Sequence, residues 1–245
     1  MKKLLLILLL IVGCEETTNS DTCSNCISGN VTGSDGNPLE NAAILLTFDT
    51  GEAELKRMQI PTATFSYSVG HAGHVLIWIE EMCGDTVKVL VNGNQEAGYH
   101  SITWNLNDLN GNTVVDGKYI RHIIINDGEW AQSQPFLWIW NDYEHLEMVD
   151  GQLGYTEIIN EETQQDTFYT HNYHAMTDEN GYFSISLDCL PFGFEGAEAD
   201  VWGNSTAIIV LYITQLWIVH EEYTTFYRGW YDVDPNNGLY VDIAY

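Results

Sequence analysis

The side chains of this sequence that could do chemistry occur in short, separated groups. His171-Asn172-Tyr173-His174 is an H-x-x-H pair, a spacing that can hold a metal when both imidazoles share a face. The surrounding residues predict a strand, where positions three apart face opposite sides. The two rings are therefore expected to diverge and to serve in turns or at the surface. His71 and His74 flank Ala72-Gly73 in a predicted turn, with the same expectation. Glu80-Glu81, Glu161-Glu162 and Glu221-Glu222 are adjacent carboxylates, which point apart on a strand and form no acid–base dyad. Asp232-Val233-Asp234-Pro235-Asn236-Asn237-Gly238 begins like a Ca²⁺ loop. Its glycine comes one place late and no glutamate closes it, so a turn is expected. Neither G-x-S-x-G nor H-E-x-x-H occurs. The expectation is a protein with no catalytic residue, no cofactor and no metal.

The elements that must position these groups read as strands. Runs rich in β-branched and aromatic residues (Ala42–Phe48, Thr64–Val69, Val75–Ile79, Val87–Val91, Ser101–Trp104, Tyr119–Ile125, Phe136–Trp140, Thr167–Tyr173, Phe183–Leu187, Ala207–Val219 and Leu239–Ala244) are separated by turn clusters such as Asn92-Gly93, Asn110-Gly111 and Asn180-Gly181. No sustained helical period intervenes. Many short strands with such turns predict an all-β sandwich fold. Ala207–Val219 is too short to span a bilayer and is interrupted by Thr214 and Gln215; a strand buried on both faces is expected.

Charge narrows the partners. Asp and Glu number 35 against 8 Lys and Arg, a net charge of −27, which repels nucleic acid and anionic lipid headgroups. The acidic residues are scattered, as on a solvated surface, and no full Ca²⁺ loop gathers them. Hydrophobic residues at 45% and aromatics at 12% suffice for a real core. Phe136-Leu137-Trp138-Ile139-Trp140 is densely aromatic, either a buried strand or a stacking platform on which Trp138 and Trp140 would contact a glycan.

Three resemblances add to this reading. Lys2-Lys3, the apolar run Leu4–Val12 and Ile11-Val12-Gly13-Cys14 resemble the signal peptide and lipobox of bacterial lipoproteins. The resemblance implies removal of 1–13, acylation of Cys14, a tether over 14–22 and a site of action outside the cytoplasm, anchored to a membrane by lipid, with the outer membrane or cell surface as the expected address. Cys23, Cys26, Cys83 and Cys189 then remain for two disulfides, with three possible pairings. Cys23-Ser-Asn-Cys26 precedes a strand and has no second C-x-x-C, so a structural disulfide involving this pair is favoured over zinc or redox use.

Between residues 60 and 127 the pattern Trp104-x₃-Asp108-x₂-Gly111-x₅-Gly117-x-Tyr119 resembles the Ig-like module of the flagellar hook-capping protein. In that resemblance Trp104 anchors a core, Asp108 and Gly111 shape a tight turn, and Gly117 admits the chain to the strand carrying Tyr119. Asn105 and Leu106 depart from the Asp and Gly that often follow the tryptophan in that family. The flanks, from Ile27-Ser28-Gly29 to Asn41-Ala42 and from Thr177-Asp178-Glu179-Asn180-Gly181 to Ile243, resemble a carboxypeptidase regulatory-like, transthyretin-like sandwich. The expected organisation is a discontinuous outer sandwich, 23–55 plus 167–245, with the 60–127 module nested inside it and 128–166 as extra strands. Tandem sandwiches or one larger sandwich are the rival arrangements. The function implied is a non-enzymatic envelope lipoprotein acting in structural, adhesive or assembly contacts with a protein or carbohydrate. The rival is a glycan- or Ca²⁺-binding module using Trp138 and Trp140.

Overall fold

A computed structural model describes residues 23, 25–50, 63–138, 143–160, 165–199 and 205–244. Cys14 with its lipobox and tether, Trp140, Glu161 and Glu162 lie outside the described residues. Within them, helix is confined to two 3₁₀ turns, Asn126–Gly128 and Leu187–Cys189. The strands are β1 (Cys26–Thr32), β2 (Ala43–Thr50), β3 (Ala63–Val69), β4 (Gly73–Glu81), β5 (Thr86–Gln95), β6 (Gly98–Trp104), β7 (Gly117–Ile125), β8 (Trp130–Trp138), β9 (Glu147–Val149), β10 (Gln152–Asn160), β11 (Gln165–Thr170), β12 (Ala175–Met176), β13 (Tyr182–Ser186), β14 (Glu195–Ala199), β15 (Ser205–His220), β16 (Tyr223–Asp232) and β17 (Leu239–Ala244). The protein is all-β, with sandwich-like packing, as the sequence implies.

Strands far apart in the chain pair first. β1 runs antiparallel to β13 and parallel to β17. Gly29 permits that close approach, since a Cβ there would sit on the Val241 carbonyl. A second sheet has the order β12-β2-β15-β14, with β16 also on β15. Alternation assigns its two faces. Ile44, Leu46, Phe48, Leu216 and Ile218 pack toward Ile27, Val31, Phe183, Ile185 and Ile243. Ala43, Leu45, Trp217 and Val219 turn the other way, onto Tyr143, Leu146, Met148 and Leu153. Burial on both faces accounts for the apolar run over Leu216–Val219, whereas Ile209 and Tyr212, earlier in β15, are exposed, so the expectation of a fully buried strand holds only for its second half. Its polar interruptions are satisfied locally: the Thr214 hydroxyl donates to the Thr47 carbonyl at 2.9 Å, and Thr47 Oγ1 donates to Gln215 Oε1 at 3.2 Å.

Residues 63–138 build another sandwich. The β3–β6 pair lies over the sheet β5-β4-β7-β8, and Val75, Ile77, Ile79, Trp104, Tyr119 and Ile123 fill the space between. In chain order it falls between β2 and the strand that pairs with it, β12. The segment after it differs from the sequence grouping. Thr167–Thr170 belong to β11, which pairs with β10 and not with the outer sandwich. A hairpin of near neighbours costs little loop-closure entropy, and Tyr155 stacks on Tyr169 across it at 5.4 Å.

Two disulfides form, Cys23–Cys26 and Cys83–Cys189. The second joins the β4–β5 turn to the 3₁₀ turn after β13, across a separation of 106 residues.

Candidate functional site

The residues with chemical potential converge where the 63–138 sandwich meets the rest of the chain. The approach begins at Asp108. Its Oδ1 accepts from the backbone N–H of Asn110 at 2.8 Å and of Asn112 at 2.9 Å; its Oδ2 accepts from Asn112 Nδ2 at 3.3 Å and from Asn172 Nδ2 at 3.2 Å. The carboxylate closes the turn and ties it to the segment after β11. Gly111 takes φ +94°, which favours glycine in that turn. Trp104 is buried, and its indole N–H donates to the Asn107 carbonyl at 2.8 Å. Tyr119 is buried against it, edge to face at 5.3 Å, and its hydroxyl donates to the Val115 carbonyl at 2.7 Å. Leu106, the departure from the family pattern, takes φ +59° yet is buried. Left-handed backbone costs about 1–2 kcal/mol, and a buried leucine returns about as much. Gly117 does not take a positive φ, and a Cβ there would make only ordinary contact with the Tyr119 ring at 3.7 Å. Entry to β7 therefore does not demand glycine.

The two histidines depart from the sequence expectation. The chain leaves strand geometry after Thr170, so the alternation argument does not apply to His171–His174, and both residues serve the interior. His171 is buried, and its Nδ1–H donates to the Asn172 carbonyl at 2.6 Å. His174 spans the junction. Its Nδ1 accepts the Leu46 N–H at 3.1 Å, and its Nε2–H donates to the Asp116 carbonyl at 3.0 Å. This fixes one neutral tautomer, with a partner on each side. His174 keeps some exposed surface, but both its ring nitrogens are engaged. Burial pushes His171 down to about 4, and pushes His174 to about 4 with a further push from His171. Tyr143, fully enclosed, accepts the Asp116 N–H at 3.1 Å on its hydroxyl, and burial holds its phenol well above the ordinary range. Backbone bonds complete the seam: Thr113 N–H to the Thr170 carbonyl at 2.9 Å and Asn172 N–H to the Thr113 carbonyl at 2.8 Å.

Beside this seam lies a cleft of about 480 Å³, lined by Glu81, Asp85, Asp108, His171, Asn172 and Tyr173 among others. Burial raises the Glu81 carboxyl above its usual range, and the like charge of Asp85 raises it further. Glu80 points the other way, its Oε2 3.4 Å from His122 Nε2. The adjacent pair thus diverges as strand geometry requires. Glu81 and Asp85 carry no sequence signal of their own, since nothing local tells which of the two glutamates faces the cleft.

The remaining candidates are dispersed. His71 sits with Asn126 at 2.9 Å and Glu129 at 3.3 Å, while His74 sits with Asn92 at 3.0 Å. Glu221 and Glu222 are exposed at the β15–β16 turn. The Asp234 carboxylate accepts from the N–H of Asn236 and Asn237 at 2.8 and 3.2 Å and from Asn237 Nδ2 at 2.9 Å, so it closes a turn on its own backbone. Asp35 and Asp178 close theirs in the same way. Among the described residues no group of three or more His, Cys, Asp or Glu is placed to hold a metal ion. Trp138 is half-buried against the Trp104 cluster, and its indole N–H reaches no acceptor among the described residues.

Fold and seam together define an all-β protein of two sandwiches joined through polar contacts and the packing of Leu137 and Val115 on the outer core. No protein-family profile and no curated protein matches the chain. Among solved structures, FlgD from P. aeruginosa aligns over 62% of this chain and 93% of that one, at 16% identity and a TM-score of 0.27. A likeness that slight carries no argument about kinship or activity.

Proposed function

We propose that this chain is a lipid-anchored envelope protein without catalysis of its own, displaying two sandwiches as a single body for structural or assembly contacts. Cys14 supplies the anchor after cleavage at Gly13, and the tether to residue 22 keeps the outer sandwich within ~30 Å of the bilayer. The Cys83–Cys189 bridge carries the reading. A disulfide that ties one sandwich to the other belongs in an oxidising compartment, where a lipobox would send the chain. Support also comes from how the reactive residues are used. Asp108, Asp234 and His174 spend their lone pairs and protons on backbone partners, and Tyr143 on the seam. Such groups hold shape. The test is metabolic labelling with an alkyne fatty acid followed by membrane fractionation. The native chain is expected to carry label and to pellet with membranes; Cys14→Ser is expected to do neither. An unlabelled, freely soluble native chain would overturn the proposal.

A further inference from the structure

We propose that Ser133 is an activated nucleophile that takes an acyl group from an uncharged carboxylic ester, with His122 as its base and Glu80 as the residue that positions the base. The proposal goes beyond the anchoring role above and concerns one covalent step, not a catalytic cycle. Strand register builds the site. Three rows run across β4, β7 and β8: Leu76–Ile124–Ala131, Trp78–His122–Ser133 and Glu80–Ile120–Pro135. Alternation puts these nine side chains on one face of the sheet, because Val75, Ile77, Ile79 and Ile123 fill the sandwich interior on the other.

His122 stands at the centre of this grid. Its Nδ1 lies 2.8 Å from Ser133 Oγ, and its Nε2 lies 3.4 Å from Glu80 Oε2. The ring stacks on Trp78, with centroids 4.6 Å apart and 13° between the planes, which holds the plane of the imidazole. With Nε2–H turned to the Glu80 carboxylate, Nδ1 is left to accept the Ser133 hydroxyl proton. A nucleophile in reach of a base, and a base oriented by a third group, is the arrangement that activates a serine. The Glu80 contact is longer than an ordinary hydrogen bond, as such contacts often are before a substrate tightens them. Base and carboxylate are mostly covered, their side chains exposed by 17% and 28%, while Ser133 is exposed among the described residues. A reagent can therefore reach the hydroxyl while the base stays sheltered.

The step balances without oxidant or cofactor. Ser133 Oγ attacks the ester carbonyl carbon and its proton passes to His122 Nδ1. The bond from that carbon to the leaving oxygen breaks, and the departing alcohol takes the proton from Nδ1. The products are a Ser133 ester and a free alcohol. The surroundings select an acyl donor. Leu76, Ile120, Ile124, Ala131 and Pro135 share the face with the hydroxyl and offer an apolar surface to an acyl chain. Glu80 and a net charge of −27 repel a phosphate ester from the same hydroxyl.

The experiment treats the full-length chain with p-nitrophenyl hexanoate, following nitrophenolate release and locating the adduct by peptide mass mapping. The native chain is expected to give a burst and to carry the hexanoyl ester on Ser133; Ser133→Ala is expected to do neither. His122→Gln should slow the burst about 100-fold or more, the scale of general-base assistance. Glu80→Gln should slow it less, and Glu80→Asp should restore part of the rate, with thermal melts unchanged, which a merely structural role would not produce. Ser101→Ala, which removes an exposed serine paired with Ser66 instead of a histidine, should leave the burst intact. An ester scattered over other side chains, a Ser133 ester that forms as fast in His122→Gln, or transfer to Ser133 from p-nitrophenyl phosphate would overturn the proposal.

Discussion

The outer core and the seam are built from different mixtures of contacts. Around β2 and β15, Ile44, Leu45, Leu46, Leu216 and Ile218 have no solvent exposure, and stability there comes from apolar area removed from water. At the seam, hydrogen bonds through Asp108, His174, Tyr143 and Asn172 and one covalent bridge join the apolar contacts that Leu137 and Val115 make with the outer core. Apolar burial is indifferent to pH and to redox state. The seam depends on both. The same molecule thus has a core that survives most conditions and a junction that holds only under some.

The largest test of this contrast is the bridge. Closing a loop of about 100 residues is worth about 4–5 kcal/mol in the chain-entropy account. The Cys83→Ser, Cys189→Ser double variant is expected to lose most of that in urea unfolding, and to unfold in two steps, with the 63–138 sandwich no longer cooperating with the outer one. A single unshifted transition would mean that the seam holds without the bridge. Next comes the core. Leu216→Ala deletes a fully buried side chain between two layers and is expected to cost about 2–5 kcal/mol, equally at pH 7 and pH 5. A pH-dependent loss would show that core and seam are not separable.

Acid should act first on the seam. His171 and His174 ionise near 4 in the folded chain, against an ordinary value near 6.5. The unfolded chain therefore binds more protons than the folded one between pH 6.5 and 4. Stability is complete above that window and falls as pH drops through it, by an amount on the order of 3 kcal/mol for a fully buried ring. Protonated His174 would also present a proton to the Leu46 N–H that it now accepts from. Thermal melts from pH 7.5 to 4 are expected to show this decline, and His174→Gln to reduce it to the part that His171 contributes. A variant that declines as steeply as the native chain would place the acid sensitivity elsewhere.

These regions also differ in how far the sequence discloses them. The strand and turn pattern is local, and it discloses the all-β class and the double burial of β15 over Leu216–Val219. The Asp-Asn-Gly clusters read as turns because their chemistry closes within a few residues, as Asp178 does with Asn180 and Tyr182. β16 and β10 were harder to see, since Tyr223–Asp232 and Gln152–Asn160 mix polar and aromatic residues without a clean alternation. The seam was invisible for another reason. His174 finds its partners 128 and 58 positions away, and the cysteine pairing is one of three that composition allows equally. A period-two rule applied to His171–His174 failed because the strand stops at Thr170. Turn chemistry can be read in one dimension, but a junction formed by distant segments needs the third.

Trp138 gives the smallest and most discriminating test. It lies at the end of β8, half-buried beside Trp104, Tyr119 and Phe136, with an indole N–H that meets no acceptor among the described residues. An enclosed donor without an acceptor costs free energy, about 1–3 kcal/mol in mutational measurements. Trp138→Phe removes the donor but also some ring contact, and the two effects oppose each other. If Trp138 is purely part of the core, the net change should stay within about 1 kcal/mol of zero and any glycan response should be unaltered. If its N–H serves a bound glycan, the variant should fold normally and lose the quenching that added sugar produces in the native chain. The first outcome would leave Trp138 with the apolar core, and the second would move it to the functional surface.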